Sequence, residues 1–297
     1  MEDRAAAFER HRPRLLGVAY RMLGSRSDAD DVVQDAYLRW HRVHTDDIRS
    51  PEAWLVTTVT RLSIDRLRQA RIERETYVGP WLPEPLIATE SPPADAASEL
   101  ASSLSVAFLV VLERLGPEER AAFLLHEVFD SGYDEIAQTL GKSEAACRQL
   151  VSRARKRVHE ERPRIQVSEE ARRSLLDRFV QAIMAHDKDA LMRLLAKDAT
   201  WTSDGGGKAR AALKPVVGDE HVARFALGVL GVRSEHLRFE HIQVNGEAGL
   251  ALYYDGNLLA VIAIQTDGAR ILDVFSTLNP DKLQAGRITH PARQSDD

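Results

Sequence analysis

The basic residues of this chain are concentrated in short segments, and one of these is RQLVSRARKR at residues 148–157. This segment holds five basic residues and no acidic one. Basic side chains on a helix bind DNA phosphates, and polar or charged residues near the start of such a helix reach base edges in a major groove. The segment therefore predicts a DNA-binding helix, although a solvated charged face on an ordinary helical hairpin would have the same composition.

A helix-turn-helix pattern would position this segment. Residues 132–161 read as a short helix, a turn at Gly141, an N-cap at Ser143 and a long second helix. The apolar positions that share the inward face of the second helix are Cys147, Leu150, Val151, Ala154 and Val158. The positions outside this face are Arg148, Gln149, Ser152, Arg153, Arg155 and Lys156. Glu144, Arg148 and Gln149 stand near the helix start, where base edges are within reach.

Two other segments carry mainly one sign of charge. RLSIDRLRQARIER at 61–74 has five arginines against two acids, and SDADDVVQDA at 27–36 has four aspartates and no base. Such segregation can present different faces to different partners. Either segment could equally be a solvated face, and the aspartates could simply complement the dipole of their own helix.

Helical spacing continues through the first half of the chain. Residues 5–44 predict two helices, the second beginning at Ser27 with a Ser-x-x-Asp pattern. Ser50-Pro51 predicts the start of a third helix, although its VTTVT stretch favours a strand by propensity. The apolar residues around VTTVT recur at helical spacing, so we predict a helix. Further helices are predicted over 95–115 and 117–130.

The bulk composition is that of an ordinary globular protein. With 297 residues, 44% hydrophobic and 29% charged, the chain predicts two or three domains. We expect no membrane span and no signal peptide, since no apolar run is long enough and the N-terminus is charged. The single cysteine excludes an intrachain disulfide, argues against a Cys/His zinc site and is typical of a cytoplasmic protein.

The pattern changes after a proline-rich stretch and again at Ser168. TYVGPWLPEPLIATESPPAD at 76–95 reads as a linker, yet Trp81, Leu82 and Leu86 form an apolar strip that a free tether would leave in water. Beyond Ser168, a helix pair over 169–196 precedes short β-rich runs separated by turn signals. These runs predict an α+β domain with a curved antiparallel sheet.

The order of these segments resembles the two domains of an extracytoplasmic-function (ECF) RNA polymerase sigma factor. The resemblance rests on DADDVVQDAYLRW, PEAWLVTTVTRLSIDRLRQAR and LGPEERAAFLLHEVFDSGYDEIAQTLGKSEAACRQLVSRARKRV. WLPEPL, SDGGGK at 203–208 and NPDKL at 279–283 resemble the subgroup that carries a fused SnoaL-like C-terminal domain. The resemblance implies two all-α sigma domains and an α+β SnoaL-like cone. The implied boundaries are 1–75 for sigma domain 2, 76–103 for the linker, 104–163 for sigma domain 4, 167–287 for the SnoaL-like domain and 288–297 for a disordered tail.

The resemblance also implies partners and contact residues. The acidic helix would dock on RNA polymerase core enzyme through Asp30, Asp31 and Gln34. The helix over 52–71 and the loop 43–50 would capture the −10 promoter strand as single-stranded DNA. The candidate −10 residues are Arg61, Asp65, Arg66 and Arg68, with Arg61 standing where many such factors have Asn. The candidate contacts with the −35 duplex are Ser143, Glu144, Arg148, Gln149, Ser152, Arg153, Arg155 and Lys156.

For the C-terminal domain the resemblance implies regulation of the sigma factor in cis. The residues predicted to make regulatory interdomain contacts are Trp81, Leu82, Pro83, Glu84, Pro85, Asp204, Gly205, Gly206, Gly207, Lys208, Asn279, Pro280, Asp281, Lys282 and Leu283. The DGGGK motif and the NPDKL motif would each place charged side chains outward, and either motif alone could be an ordinary surface turn. We expect no cofactor, no metal site and no catalytic residue.

Two other hypotheses remain open at this point. SnoaL-like folds include small enzymes with an Asp or His general base, and the available residues are Asp204, His221, His236, Asp255 and Asp273. The chain would then be a ligand-binding or enzymatic protein with a DNA-binding arm, and its pocket would hold an unknown small ligand. A repressor that uses only the helix-turn-helix is the other rival.

Overall fold

The computed structural model describes residues 4–43, 48, 50–88, 105–161, 167–231 and 236–284. The chain forms two compact units. The helical unit comprises residues 1–84 and 98–166, and the sheet unit comprises 85–97 and 167–297. The division falls inside the predicted linker, between Glu84 and Pro85. The predicted tail, the second half of that linker and most of the loop 43–50 lie outside the described residues.

The first helices of the helical unit are α1 (Arg4–Leu23), α2 (Arg26–Arg42) and α3 (Pro51–Glu75). The predicted start of α2 at Ser27 is wrong by one residue, and its N-cap is Ser25, whose hydroxyl accepts a hydrogen bond from the Asp28 amide. The start of α3 is as predicted, with Ser50 as the N-cap and Pro51 in the first turn. Trp40 and Trp54 lie together between α2 and α3, with ring centroids 5.5 Å apart.

The β-branched stretch VTTVT lies within α3, so helical spacing prevails over strand propensity. Leu55, Val59 and Ile64 are buried against the neighbouring helices. The Thr58 hydroxyl donates to the carbonyl of Trp54, one turn back, at 2.8 Å. Tertiary burial of this apolar face outweighs the small loss of helix propensity that β-branched residues bring.

The second group of helices in this unit is α4 (Val106–Leu112), α5 (Pro117–Glu127), α6 (Tyr133–Leu140) and α7 (Glu144–Glu161). Gly141 ends α6 in the left-handed conformation, with φ of 65°. The Ser143 hydroxyl then accepts the Ala146 amide at 3.2 Å. Cys147, Leu150, Val151 and Ala154 are buried. The helix-turn-helix pattern and its inward face are therefore confirmed.

The helices and strands of the sheet unit bury one common core. In chain order they are β1 (Ile87–Ala88), α8 (Glu169–Met184), α9 (Lys188–Leu194), β2 (Leu195–Asp204), β3 (Val216–Val217), α10 (Asp219–Val229), β4 (Leu237–Val244), β5 (Glu247–Tyr254), β6 (Asn257–Thr266), β7 (Ile271–Thr277) and α11 (Pro280–Gln284). Phe179 and Trp201 lie at the centre of this core, with ring centroids 5.9 Å apart. The unit thus has the predicted α+β class.

The sheet is curved and has seven strands in the order β1-β4-β5-β6-β7-β2-β3. Every neighbouring pair is antiparallel except β2 and β7, which run parallel. The sequence pattern did not predict this parallel pair. Its strands are separated by the whole β3–β6 segment, which provides the long connection that parallel neighbours require. None of the described helices is long and apolar enough to cross a membrane.

Candidate polymerase and nucleic-acid interface

The acidic helix α2 buries one face and presents the other. Ala29, Val32 and Val33 are buried, whereas Asp31 and Gln34 are exposed. Asp30 is partly exposed and lies 3.7 Å from Arg26, one turn earlier. The three predicted polymerase contacts therefore share the outward side of one rigid helix.

Glu84 of the WLPEPL motif caps this helix at its N-terminus. Its carboxylate accepts the Arg26 amide at 2.8 Å, and its own amide donates to the Gly24 carbonyl at 2.7 Å. The Tyr20 hydroxyl donates to the Glu84 carbonyl at 2.6 Å. A carboxylate at this position also complements the positive end of the helix dipole. The linker thus fixes the start of the helix that carries Asp30 and Asp31.

Trp81 lies over the turn between α1 and α2. The Arg74 guanidinium lies 3.5 Å from the Trp81 ring centroid, which is a cation–π contact. Gly24 has φ of 66°, and a Cβ atom there would lie 2.8 Å from the Trp81 ring. Glycine is therefore required at this turn by both the backbone and the ring. Leu82 beside it is only 1% exposed, so part of the apolar strip of the linker is covered.

A charge cluster of one buried and two largely buried side chains joins the two groups of helices beside Trp81. Glu113 of α4's C-cap pairs with Arg74 of α3 and, at 2.8 Å, with Arg120 of α5. Arg120 also donates to the Met22 carbonyl at 2.6 Å. Burial lowers the pKa of Arg74, and the adjacent Glu113 carboxylate opposes that shift. Buried cations are tolerated here because they share one carboxylate and are hydrogen-bonded.

Two of the four predicted −10 residues, Arg61 and Arg68, bond to the second group of helices, and Asp65 pairs with Arg68 of its own helix. Arg61 donates to the carbonyls of Thr139 and Gln138, at 2.8 Å each. Arg68 pairs with Asp65 and with Glu118, at 3.2 Å each.

Arg66 lies apart from these contacts and pairs with Asp28 at 2.9 Å and with Glu73 at 3.0 Å. Its bond to Asp28 thus links α3 to the start of α2, while Glu73 lies on α3 itself. The four candidates lie on one helix, but Arg61 and Arg68 bond to the second group of helices, whereas Arg66 bonds to α2.

The outward face of α7 is exposed along its length. All the predicted −35 residues are exposed: Ser143 just before the helix, and Glu144, Arg148, Gln149, Ser152, Arg153, Arg155 and Lys156 on it. Arg148 pairs with Glu144 at 2.7 Å, Arg153 with Glu119 at 3.2 Å, and Arg155 with Glu127. The arginines of all three pairs are exposed, and the pair of Arg148 with Glu144 is exposed on both sides, so solvent screens it and it contributes little to stability. The three pairs leave the helix accessible to a nucleic-acid duplex.

Family models and relatives agree on what this arrangement is. The Sigma-70 region 2 model matches residues 7–72, and the Sigma-70 region 4 model matches residues 105–158. The chain is 40% identical over 287 residues to ECF RNA polymerase sigma factor SigJ of Mycobacterium tuberculosis, covering 93% of this chain and 92% of that protein. The chain belongs to the ECF RNA polymerase sigma factors. It is a transcription initiation factor and not an enzyme.

Two further comparisons extend over nearly the whole chain. A probable ECF RNA polymerase sigma factor, SigI of Mycobacterium tuberculosis, is 31% identical over 289 residues, covering 95% of this chain and 97% of that protein. The crystal structure of Mycobacterium tuberculosis SigJ matches with a TM-score of 0.76 at 38% identity, covering 94% of this chain and 98% of that one. The likeness of this sigma factor to SigJ therefore includes the sheet unit.

Within the sheet unit, the DGGGK and NPDKL motifs bond to each other. Lys282 donates to Asp204 at 2.6 Å, and Lys208 to Asp281 at 2.5 Å. The amides of Leu278 and Asn279 also donate to the Asp204 carbonyl.

This pairing corrects two expectations about the motifs. NPDKL was predicted as a turn with Lys282 outward, but Pro280–Gln284 is a short helix and the Lys282 side chain is only 11% exposed. Asp204 is fully buried and so does not form an outward charged handle. Gly205 remains essential for packing, because a Cβ atom there would lie 2.3 Å from the Ala209 carbonyl oxygen.

The second half of WLPEPL enters the sheet as its edge strand. Ile87 and Ala88 pair antiparallel with Val244 and Gln243 of β4. The Leu86 amide donates to the Asn245 side-chain oxygen at 3.0 Å, and the Asn245 amide returns a bond to the Leu86 carbonyl at 2.8 Å. This strand was not predicted from the sequence. Its only signal was the apolar run LIA directly after the prolines.

The candidate acid–base residues of the rival enzyme hypothesis are engaged separately. Asp204 pairs with Lys282, His236 with Asp255 at 2.9 Å, and Asp273 with the Thr200 hydroxyl. His221 is exposed and lies 3.0 Å from the Val217 carbonyl.

None of these five residues lines the groove of about 380 Å³ between α8 and α9. Among the described residues, no group of three or more His, Cys, Asp or Glu side chains is placed to hold a metal ion.

Proposed function

We propose that this sigma factor contacts RNA polymerase core enzyme through α2 and reads the promoter with α3 and α7. Asp30, Asp31 and Gln34 form the polymerase contact, because they share the exposed side of a helix whose N-terminus is capped from the linker. We propose a cytoplasmic location as well, because RNA polymerase and promoter DNA are the partners of this factor. The domain boundaries that the sequence suggests remain part of this proposal.

Promoter reading divides between two helices. Near the start of α7, Glu144, Arg148 and Gln149 reach base edges of the −35 duplex, while Arg153 and Arg155 further along contact phosphates. On α3, Arg61 and Arg68 hold the −10 strand after it separates from its complement. The observation that carries the proposal is the exposure of Glu144, Arg148, Gln149, Arg153 and Arg155 on the second helix of a helix-turn-helix.

Regulation in cis by the sheet unit is the second part of the proposal. The linker holds the start of α2 through Glu84, and only Pro85 separates that residue from the segment that joins the sheet. A change in how the sheet holds Leu86 to Ala88 would thus act on the capping residue of the polymerase-binding helix. A coupling of a few kcal/mol is enough to shift such an equilibrium strongly.

Promoter-directed transcription by reconstituted RNA polymerase tests the first part. We expect the triple variant D30A/D31A/Q34A to lose transcription at every promoter that the wild type uses. The double variant R148A/Q149A should still bind core enzyme but lose preference for the native −35 sequence. If wild-type protein gives core enzyme no promoter preference, the proposal is wrong. Normal transcription by the triple variant would remove α2 as the contact.

A full-length variant tests the regulatory part. Asn245→Gly removes the side-chain acceptor of the Leu86 amide but keeps a residue that tolerates the positive φ of 54° at this turn. Asp255→Gly is the matched control, because Asp255 has φ of 47° in the next hairpin turn. We expect Asn245→Gly, and not Asp255→Gly, to change the rate of promoter-specific transcription. Identical rates for both variants and the wild type would contradict control through the linker strand.

A further inference from the structure

The face of α3 that carries Arg61 and Arg68 is occupied by other parts of the helical unit. Arg61 directs its guanidinium at two backbone carbonyls at the end of α6, those of Gln138 and Thr139. The last carbonyls of a helix lack partners within the helix and carry the negative end of its dipole. A guanidinium fork binds such an oxygen pair in the way that it binds two phosphate oxygens.

Two more contacts extend this occupied face. The hydroxyls of Thr57 and Thr139 lie 3.0 Å apart, and Arg68 pairs with the Glu118 carboxylate at 3.2 Å. Positions 57, 61 and 68 are spaced by four and seven residues and therefore lie on one side of α3. The carboxylate of Glu118 thus meets Arg68 as a phosphate group would.

We propose that the end of α6 together with Glu118 is an internal substitute for the −10 strand. In the structure this substitute is bonded to Arg61 and Arg68, an arrangement that we name the closed state. Single-stranded promoter DNA must displace the substitute to bind these arginines. This inference rests on the proposed −10 role of those arginines.

The polar character of the contact supports reversible binding. Its bonds join arginines to carbonyls, a carboxylate and a hydroxyl pair, all of which water or DNA phosphates can replace. Polar interfaces between domains of one chain open and close readily. DNA that offers a row of phosphates therefore competes with α6 for the same guanidinium groups.

A disulfide lock between Thr57 and Thr139 tests the proposal in the full-length chain. Their side-chain oxygens are close enough that cysteine at both positions can form a disulfide with a small adjustment. The native cysteine, Cys147, does not interfere, since it is buried and its burial raises the pKa of its thiol. The matched control is T58C/T139C, because the Thr58 hydroxyl bonds within its own helix.

Oxidised T57C/T139C is expected to lose at least about ten-fold in binding to a −10 single strand and in transcription, with recovery on reduction. The control pair should show no such difference. Equal activity of the oxidised and reduced forms would overturn the internal substitute and leave the promoter-reading proposal intact. A wild-type holoenzyme that cannot bind the −10 strand would overturn both.

A pair of single substitutions gives an independent test that needs no new bond. Glu118→Gln weakens the contact with Arg68, while Glu119→Gln makes the same change at the next residue, which pairs with Arg153 and Arg157. Because exposed ion pairs are weak, we expect Glu118→Gln to raise affinity for the −10 strand about two- to five-fold, without core enzyme. Glu119→Gln should leave that affinity unchanged. The same affinity for both variants and the wild type would contradict the proposal.

Discussion

The two helices that we propose to read promoter DNA differ in where their arginines are bound. On α3, Arg61 and Arg68 bond to residues 78 and 50 positions away in the sequence, in the second group of helices. On α7, Arg148 pairs with a residue four positions earlier, and Arg155 pairs with α5 of the same group. Release of α3 requires two groups of helices to separate, whereas release of α7 requires only rotation of exposed side chains.

The same difference appears in the turns and charges around each helix. Gly24, near the start of α2, lies under Trp81, while Gly141, before α7, has open space around it. Glu113 beside α3 is shared by two buried or half-buried arginines, while Glu144 on α7 is half exposed. The proposed −35 residues of α7 are thus exposed, whereas Arg61 and Arg68 of α3 are bonded to other elements of the helical unit.

Replacement of Glu113 should cause the largest loss of stability in this comparison. Glu113→Leu leaves Arg74 and Arg120 without their shared carboxylate, and breaking a buried pair in this way costs about 3–5 kcal/mol. Glu144→Ala removes an exposed pair and should cost less than about 0.5 kcal/mol. Urea unfolding of both full-length variants measures the difference. Similar losses of unfolding free energy in the two variants would contradict the idea that burial makes the Glu113 pairs stronger than the exposed Glu144 pair.

An intermediate effect is expected when alanine replaces the two left-handed glycines. Gly24 and Gly141 have φ of 66° and 65°, so each substitution brings a backbone cost of about 1–2 kcal/mol. At Gly24 the new Cβ atom also meets the Trp81 ring at 2.8 Å, whereas at Gly141 it meets nothing within 4 Å. Gly24→Ala should therefore lower the free energy of unfolding more than Gly141→Ala. Equal losses in urea titrations would argue against the contact between Trp81 and the α1–α2 turn.

The helices of this protein were predictable because their apolar residues recur at one period over many turns. The inward face of α7 and the turn at Gly141 depend only on local sequence, and both were confirmed. The start of α2 was misplaced because Ser25 and Ser27 are equally good N-caps by type. Glu84, 58 residues further on, bonds to the Arg26 amide and thereby adds a second cap to the helix that begins after Ser25. Local patterns contain no information about such a distant partner.

Strand β1 and the pairing of the two C-terminal motifs were missed for the same reason. Two residues have no measurable alternation, and β1 is defined by its pairing with β4 and the bond of Leu86 to Asn245, more than 150 positions away. The partner of each charged residue was equally unpredictable, since 40 basic and 45 acidic side chains allow very many pairs. The predicted contact of Trp81 with the sheet unit remains a prediction. The proposed DNA contacts likewise remain predictions, and the intramolecular partners that the structure gives to their arginines were not predictable from the sequence.

The smallest expected effect concerns a phosphate contact on α7. Arg153 is 60% exposed, and its partner Glu119 keeps a second pair with Arg157, so Arg153 can turn to a DNA backbone without leaving that carboxylate unpaired. Arg153→Ala should lower affinity for the −35 duplex uniformly across sequences and reduce the slope of log affinity against log salt by about 1. Arg193→Ala, an exposed arginine on α9 of the sheet unit, is the matched control and should leave the slope unchanged. Fluorescence anisotropy over a salt series measures both. A slope that changes equally for the two variants would mean that general charge, and not the exposed face of α7, attracts the duplex.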